Sequence, residues 1–432
     1  MPDEQRRFAL GVVRRLREAG FEAYWAGGCV RDELLGRVPK DFDVATSATP
    51  RQIRDRFGRR TLAIGAAFGV MTVRGPEQAG MIEVATFRRD SATSDGRRPD
   101  HVTFSSARED ALRRDFTING LFYDPLQGQV IDFVGGQEDL ARRVVRAIGP
   151  PRDRFTEDKL RLLRAVRFAA TLDFVLESET AAALGEMAGQ ITVVSPERIA
   201  MEMRRMLVDP GRARGIRLLV DLGLAEAVLP EIVPRDEAGR APSATMPRMV
   251  PGSRLDRALA VLERLREPSF PLALAALLGA AADAPPDATA DARRVGDLGL
   301  RWRLANREVD EAAWLVEHRE SLRGASAAPW SRVQPLVVHP WIDDLAALHE
   351  ADSPEGAEAA AWCRTLLEQP RERLDPPPLA TGDDLVARGI PAGPIYKTLL
   401  DRLRGAQLDG EVHTRDEALA LADRLLQMED LT

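Results

Sequence analysis

The chain has 432 residues, 44% of them hydrophobic, with 60 Lys and Arg against 67 Asp and Glu for a net charge of −7. That length exceeds one ordinary core and predicts two to four domains, while no apolar run approaches the roughly 18 uncharged residues that a membrane span needs. A uniformly basic nucleic-acid binder is excluded, but residues 1–210 carry 33 basic against 31 acidic groups and residues 211–432 carry 27 against 36, so an RNA-binding surface must be a local arginine patch.

The opening MPDEQRRFALGVVRRLREAGF is charged throughout and predicts an amphipathic helix over 5–19 rather than a secretory signal. FEAYWAG reads as a strand ending at Gly27 and Gly28, VRDELLG as a short helix and DFDVAT as a strand. TPRQIRDRFG begins a helix with a Thr cap and Pro in the first turn. GVMTVRG and MIEVATFR follow as strands around a PEQAG hairpin loop. SAREDALRRDFTINGLFYDP predicts a helix running up to a turn, and QVIDFVGG a last short strand. From about residue 157 strand patterns vanish. PEIVPRDEAGRAPSATMPRMVPGS and AADAPPDATADARR read as linkers or long loops between helices. The expected fold class is α+β, a mixed β-sheet with helices followed by an all-α remainder. Cys29 and Cys363 lie far apart, which predicts no disulfide framework and a reducing cytoplasm.

Chemistry concentrates in a few stretches. Asp41 and Asp43 alternate on an expected strand, so both carboxylates face one side. Two such charges repel unless cations sit between them, and a pair of Mg²⁺ ions about 3.5–4 Å apart does so in two-metal phosphoryl transfer. Glu83, on a later strand, joins them if the strands are neighbours, and otherwise is an exposed residue paired with an Arg. Gly27 and Gly28 expose backbone N–H groups at a helix start, and Arg31 adds a fork for phosphate. In RRDFTING, Arg113 and Arg114 can reach a triphosphate or ribose, Asp115 can orient them, and Asn119 can donate and accept at a sugar or base edge. In EDKLRLLRAVRF, a helical wheel at about 100° per residue sets Leu162, Val166, Ala169 and Ala170 on one half. Asp158 and Arg161 are neighbours on the other half, with Arg164 beyond them and Arg167 opposite Asp158. The plain reading is an i, i+3 salt bridge; the sharper one is a carboxylate and a guanidinium that read a base's Watson–Crick edge.

In this order, GGCVRDELLG, DFD, IEVATFR, DGRRPD, RRDFTING, GGQEDL, EDKLRLLRAVRFA and SPERIAMEM resemble the class II tRNA nucleotidyltransferases, the CCA-adding enzymes and their bacterial poly(A) polymerase relatives. The match is strong over about residues 20–210 and looser beyond, although TGDDLVARGIPAGPIYKTLL is similar to the family's tail. The resemblance implies a catalytic nucleotidyltransferase head at 1–148, a helical neck with the nucleotide-selecting helix at 149–210, a helical body at 211–345 and an RNA-binding tail at 346–432. It implies that Asp41 and Asp43 bind two Mg²⁺ ions, and that Gly28 and Arg31, with Arg113 or Arg114, hold the triphosphate. Asp158 and Arg161 then select CTP or ATP, with Arg164 and Arg167 nearby, and Asp95 and Arg97 belong to a loop that helps the site switch from C to A. The implied reaction adds C, C and A to the 3′ end of tRNA, without a nucleic-acid template and with loss of pyrophosphate. Membrane and DNA are not expected partners.

Three rivals stand beside that reading. One is poly(A) addition, or addition of only CC or only A, at RNA 3′ ends. Another is an idle RNA-binding module, against which the intact DFD, RRD and EDKLR elements argue. A third is transfer of a nucleotide to a protein or small molecule, which the long helical body disfavours. None of the five His residues is followed by Asp, so no His-Asp phosphohydrolase site is expected.

Overall fold

A computed structural model of the chain describes residues 2–63, 69–90, 102–233, 252–281, 288–390, 393 and 395–427. The chain divides into two compact units, 1–249 and 250–432.

The first unit is built on a sheet. Its strands are β1 (Ala23–Ala26), β2 (Asp43–Thr46), β3 (Thr61–Leu62), β4 (Val70–Arg74), β5 (Met81–Thr86), β6 (Arg88–Asp90), β7 (Val102–Phe104), β8 (Phe122–Asp124), β9 (Gln129–Ile131), β10 (Val144–Val145) and β11 (Val175–Leu176). Seven of them form one mixed sheet in the order β3-β4-β5-β2-β1-β8-β9. Only β2 and β5 pair in parallel there, in a register that sets Asp43 beside Glu83. The helices of this unit are α1 (Pro2–Glu18), α2 (Gly28–Leu34), α3 (Pro50–Phe57), α4 (Ala107–Leu112), α5 (Gly136–Ala141), α6 (Pro151–Glu157), α7 (Leu160–Leu172), α8 (Ser178–Met187), α9 (Pro196–Leu207), α10 (Arg212–Asp221) and α11 (Ala225–Val228).

The local chemistry explains these boundaries. Thr49 caps α3 in a reciprocal box with Gln52, with Pro50 in the first turn, as the sequence predicts. Ser106 and Glu109 do the same for α4. That helix ends at Leu112, so it takes in only the first part of the stretch SAREDALRRDFTINGLFYDP expected to be a helix running up to a turn. Phe116 is extended and bridges Ala147, a short 3₁₀ turn follows, and Phe122–Asp124 joins the sheet as β8. Gly136 stands where a Cβ would come within 2.3 Å of the Thr117 carbonyl oxygen, which lets α5 pack directly on that turn. Strands also do not end at residue 157, since β11 pairs in parallel with β10.

A second correction concerns Asp158. It does not lie on the helix with Arg161 but in an extended residue between α6 and α7 (φ −150°, ψ 107°). Its Oδ1 accepts the Leu160 backbone N–H at 3.0 Å, which is what an Asp ahead of a helix does best. The helix it precedes buries more than the expected half, with Leu160, Leu163, Ala165 and Phe168 joining Leu162, Val166, Ala169 and Ala170 in the core.

The second unit is helical, and among its described residues it holds no strand. Its helices begin with Arg254–Arg264, Phe270–Ala281, Ala288–Trp302 and Asn306–Glu317, and close with Ile395–Leu408 and Arg415–Gln427 around Leu399, Leu403, Ala418 and Ala422. The helix at Ala288 covers the second half of the expected linker AADAPPDATADARR. No helix among the described residues is long and apolar enough to cross a membrane.

Candidate active site

One cleft of the first unit, about 590 Å³, gathers most of the residues singled out by sequence. Its lining includes Gly27, Gly28, Arg31, Asp43, Arg113, Arg114, Asp115, Asn119, Asp158, Arg161 and Arg164. Arg198, Arg205, Leu160 and Phe168 complete it, so seven arginines meet three aspartates. Such an excess of guanidinium suits a polyanion. Asp95 and Arg97 lie outside the described residues.

Of the three carboxylates expected at the metal site, Asp43 lines the cleft, while Asp41 and Glu83 lie near it outside the lining. Asp43 and Glu83 are register partners on parallel strands, so their side chains share a face of the sheet, whereas Asp41 lies two residues ahead of β2, not on the strand where it was expected. Among the described residues, none of the three has an ion-pair partner. Asp43 is open to the water of the cleft but surrounded by protein on most sides. That desolvation, then the charge of Glu83 and less strongly that of Asp41, raises its pKa to about 6 against the pull of Arg114. Beneath it, the buried Cys29 thiol lies 3.4 Å from the Ala26 carbonyl oxygen and 4.0 Å from that of Asp43, and burial pushes its pKa up to about 12. Among the described residues no three His, Cys, Asp or Glu side chains form a ready-made metal site. The donors present are carboxylate oxygens crowded by like charge, which fits Mg²⁺, an ion usually held by one or two carboxylates plus substrate phosphates rather than by a full protein cage.

The phosphate side rests on glycine and arginine. Gly27 ends β1 with φ 73° and caps α2, and a Cβ there would meet the Arg114 guanidinium at 2.8 Å. Only glycine lets that side chain cross so close to the backbone. Arg31 donates to the Asn119 side-chain oxygen at 2.7 Å and to Asp32 at 2.7 Å, with its guanidinium 5.1 Å from the Phe168 ring centroid. Arg113 and Arg114 are both held by Asp110, at 2.7 and 3.1 Å, and Arg114 also donates to the Asn119 carbonyl oxygen at 3.2 Å. Burial alone would raise the Asp110 pKa, but the guanidinium groups of Arg114 and Arg113 outweigh it and hold the group low. Asp110 is not among the residues that sequence reasoning singles out, although its spacing three and four residues ahead of two arginines, at the end of an expected helix, is the signal.

Asp115 carries out the orienting role in a different direction from that expected. It accepts from Asn119 at 3.1 Å, from the Phe116 N–H at 2.8 Å and from Arg164 at 2.6 Å, rather than from Arg113 or Arg114. Its burial is overcome by those donors, Arg164 foremost, and its pKa is lowered. Arg164 passes the linkage to Glu202 at 3.7 Å, which also takes Arg167 at 2.5 Å and Arg205 at 3.3 Å. Arg167 stacks over Phe168 at 4.0 Å and is absent from the cleft lining. Glu202 is buried among Ile199, Met203 and Met206 on α9, and a charged residue on the apolar stripe of a helix is its legible sign.

The expected Asp158–Arg161 salt bridge is not formed. Asp158 instead receives a two-pronged bond from Arg198 of α9, at 2.7 and 3.2 Å. Arg161 bonds Glu157 at 2.6 Å and the carbonyl oxygens of Arg154 and Arg113 at 2.9 and 3.1 Å. Both side chains still line the same cleft. Each keeps capacity to spare, since a carboxylate accepts about four bonds and a guanidinium donates five.

Comparison with known proteins completes the description. Residues 23–146 match the poly A polymerase head domain family, and residues 173–235 match a family described as a probable RNA and SrmB-binding site of polymerase A. The CCA-adding enzyme of Geobacillus kaustophilus is 33% identical over 424 residues, 95% of each chain. That of Lactococcus lactis subsp. lactis is 45% identical over 226 residues, 52% of this chain and 56% of the relative. Among solved structures, the Bacillus stearothermophilus CCA-adding enzyme in complex with CTP superposes with a TM-score of 0.76 at 29% identity, over 98% of both chains. With the cleft residues in place and a relative of one-third identity along nearly its whole length, the chain belongs to the CCA-adding enzyme family.

Proposed function

We propose that the protein adds C, C and A to the 3′ end of tRNA from CTP and ATP, releasing pyrophosphate. The observation that carries this is one cleft in which the Asp43 carboxylate, without an ion-pair partner among the described residues, stands beside seven arginines, in a chain similar from end to end to CCA-adding enzymes. The head-domain match alone would also suit a poly(A) polymerase, but the full-length relatives favour CCA addition.

Asp41 and Asp43, with Glu83 beside them, would hold Mg²⁺, two ions in the full site. When bound, the ions supply charge that favours the attacking 3′-hydroxyl as its alkoxide and the departing pyrophosphate. The chain's own groups do the positioning. The Gly28 backbone N–H and the forks of Arg31, Arg113 and Arg114 receive the triphosphate, whereas the Gly27 N–H, expected to join them, is donated to the Leu121 carbonyl oxygen at 3.1 Å. Asp110 and Asn119 keep those forks aimed, so little side-chain freedom is lost when phosphate arrives. Cytosine and adenine both present an exocyclic amine, where uracil and guanine present a carbonyl oxygen. The Asp158 carboxylate accepts from that amine and repels a carbonyl, while Arg161 donates to the neighbouring ring nitrogen. Arg164 and Arg167 support this edge through Asp115 and Glu202. Asp95 and Arg97 would belong to the loop that tunes the change from C to A.

Residues 1–148 are then the catalytic head, 149–210 the neck, 211–345 the body and 346–432 the RNA-binding tail. A cytoplasmic setting suits two buried cysteines that form no disulfide. The test is incorporation of labelled CTP and ATP, separately and together, into tRNA that ends before CCA, with Asp41→Ala as control. Two C and one A followed by a stop is the expected result. Unlimited A addition would make the protein a poly(A) polymerase, and no incorporation with Mg²⁺ present would overturn the assignment.

A further inference from the structure

The sheet of the first unit has a second, opposite face, and positive charge collects there too. Asp43 shares its side of β2 with Ala45, which packs with Tyr24, Ala26 and Phe122 against Ala107 and Ala111 of α4. The other side, with Trp25 and Val44, is covered by α1 and α3. The Arg6 guanidinium lies 5.1 Å from the Trp25 ring centroid, and α3 buries Ile53 and Phe57. The outward surfaces of these two helices therefore point away from the carboxylates of the cleft.

Those outward surfaces are arginine-rich. α3 and the turn that follows it hold Arg51, Arg54, Arg56, Arg59 and Arg60 within ten residues, all exposed, and α1 adds exposed Arg14 and Arg15. The helices touch at this patch, where the Arg15 guanidinium lies 5.3 Å from the Phe57 ring centroid and Arg56 donates to the Arg15 carbonyl oxygen at 3.1 Å. The carboxylates close by in sequence are Asp55 and Glu18, and among the described residues the patch has one ion pair, Arg56 with Glu18 at 3.6 Å. Exposed like charges at this density repel one another, and a polyanion relieves that repulsion.

We propose that this face binds the phosphodiester backbone of RNA without regard to sequence, as an anchor separate from the cleft. The inference rests on RNA being the substrate and extends that reading to the far side of the sheet. Two features favour RNA as the occupant. Guanidinium forks match phosphate oxygens and stay charged at any working pH. The patch also shows no exposed large apolar side chain between residues 50 and 62, which a helix lying in a membrane surface would insert. With Phe57 buried, no aromatic ring is offered to the bases, so the patch meets phosphates and positions the RNA rather than reading it.

The experiment compares the full-length wild type with a variant carrying Arg51→Gln, Arg54→Gln, Arg59→Gln and Arg60→Gln. Anisotropy of a labelled tRNA transcript lacking its CCA is titrated at several KCl concentrations. The Kd at about 0.1 M KCl should rise at least about tenfold, and the slope of log affinity against log salt should flatten by about 0.9 for each duplex phosphate that the variant no longer neutralises. CTP affinity and the thermal midpoint should keep their wild-type values. An unchanged Kd and salt slope in a folded, CTP-binding variant overturns the proposal. Should the fourfold variant not fold, Arg59→Gln with Arg60→Gln, which lie beyond α3, carries the same test with a smaller shift in both readouts. Because binding is read without turnover, a wild type that binds tRNA through this patch yet adds no nucleotide would contradict the assigned reaction while leaving the anchor standing.

Discussion

Two sets of carboxylates, one member of the first and two of the second lining the cleft, have opposite electrostatic fates. Asp41, Asp43 and Glu83 have no guanidinium of their own among the described residues, and Asp43 is raised to about 6. Asp110, Asp115, Asp158 and Glu202 are each bonded by one to three arginines, and the pKa values of Asp110 and Asp115 are lowered. Charge neutralised within the chain has a structural result: it fixes where arginines point. Charge left unneutralised attracts a cation from outside. The contrast thus separates residues that would hold a cation from residues that aim the arginines, with no appeal to activity data.

Breaking the unneutralised set should have the largest effect. Asp43→Ala or Asp41→Ala should lower kcat about a thousandfold or more, since the charge stabilisation supplied by a metal site is worth several kcal/mol. Single-turnover CTP addition measures this. The folded state should not suffer, because the variant removes like-charge repulsion. Breaking the neutralised set should do the reverse. Glu202→Ala strands Arg167 and Arg205 without their carboxylate and should cost about 3 kcal/mol of stability in a denaturant titration, the usual penalty for removing one partner of a buried pair. Arg198→Lys keeps the charge but loses the two-pronged hold on Asp158, and should raise the KM for CTP and ATP about tenfold with a smaller change in kcat.

The smallest effect is a pH dependence of opposite sign in the two sets. Asp43, raised from an ordinary 3.8 to about 6, contributes stability below pH 4 that is lost as pH rises through 6 in metal-free protein. Asp115 and Asp110, lowered, contribute stability above pH 4 that is lost as pH falls through their folded values. Asp43→Asn should flatten the first trend and Asp110→Asn the second, as read from thermal midpoints across pH 3–8.

The cation side was legible because strand geometry is local. Asp43 opens β2 with Asp41 two residues ahead of it, and the β-rich IEVATFR segment brings Glu83 alongside by a single parallel pairing. The arginine side was legible only in part, because it is assembled across helices that no short motif connects. Arg198 and Glu202 come from α9 and reach residues about 40 positions away. Asp158 misled for a local reason: a helical wheel drawn through EDKLR assumes continuous helix, whereas Asp is a strong cap and ends up between α6 and α7. Strands β8 and β11, with three and two residues, are too short to show alternation, so tertiary pairing alone defines them.

The most direct test of the division between the two sets is a Mg²⁺ titration of wild type and Asp43→Asn in the presence of CTP, followed by calorimetry at pH 7.5, with metal-free thermal midpoints recorded alongside. The account predicts metal binding in the wild type that the variant loses, together with an equal or higher metal-free midpoint for the variant. Wild-type Mg²⁺ binding by Asp43→Asn, or a clear drop in its metal-free midpoint, would contradict it.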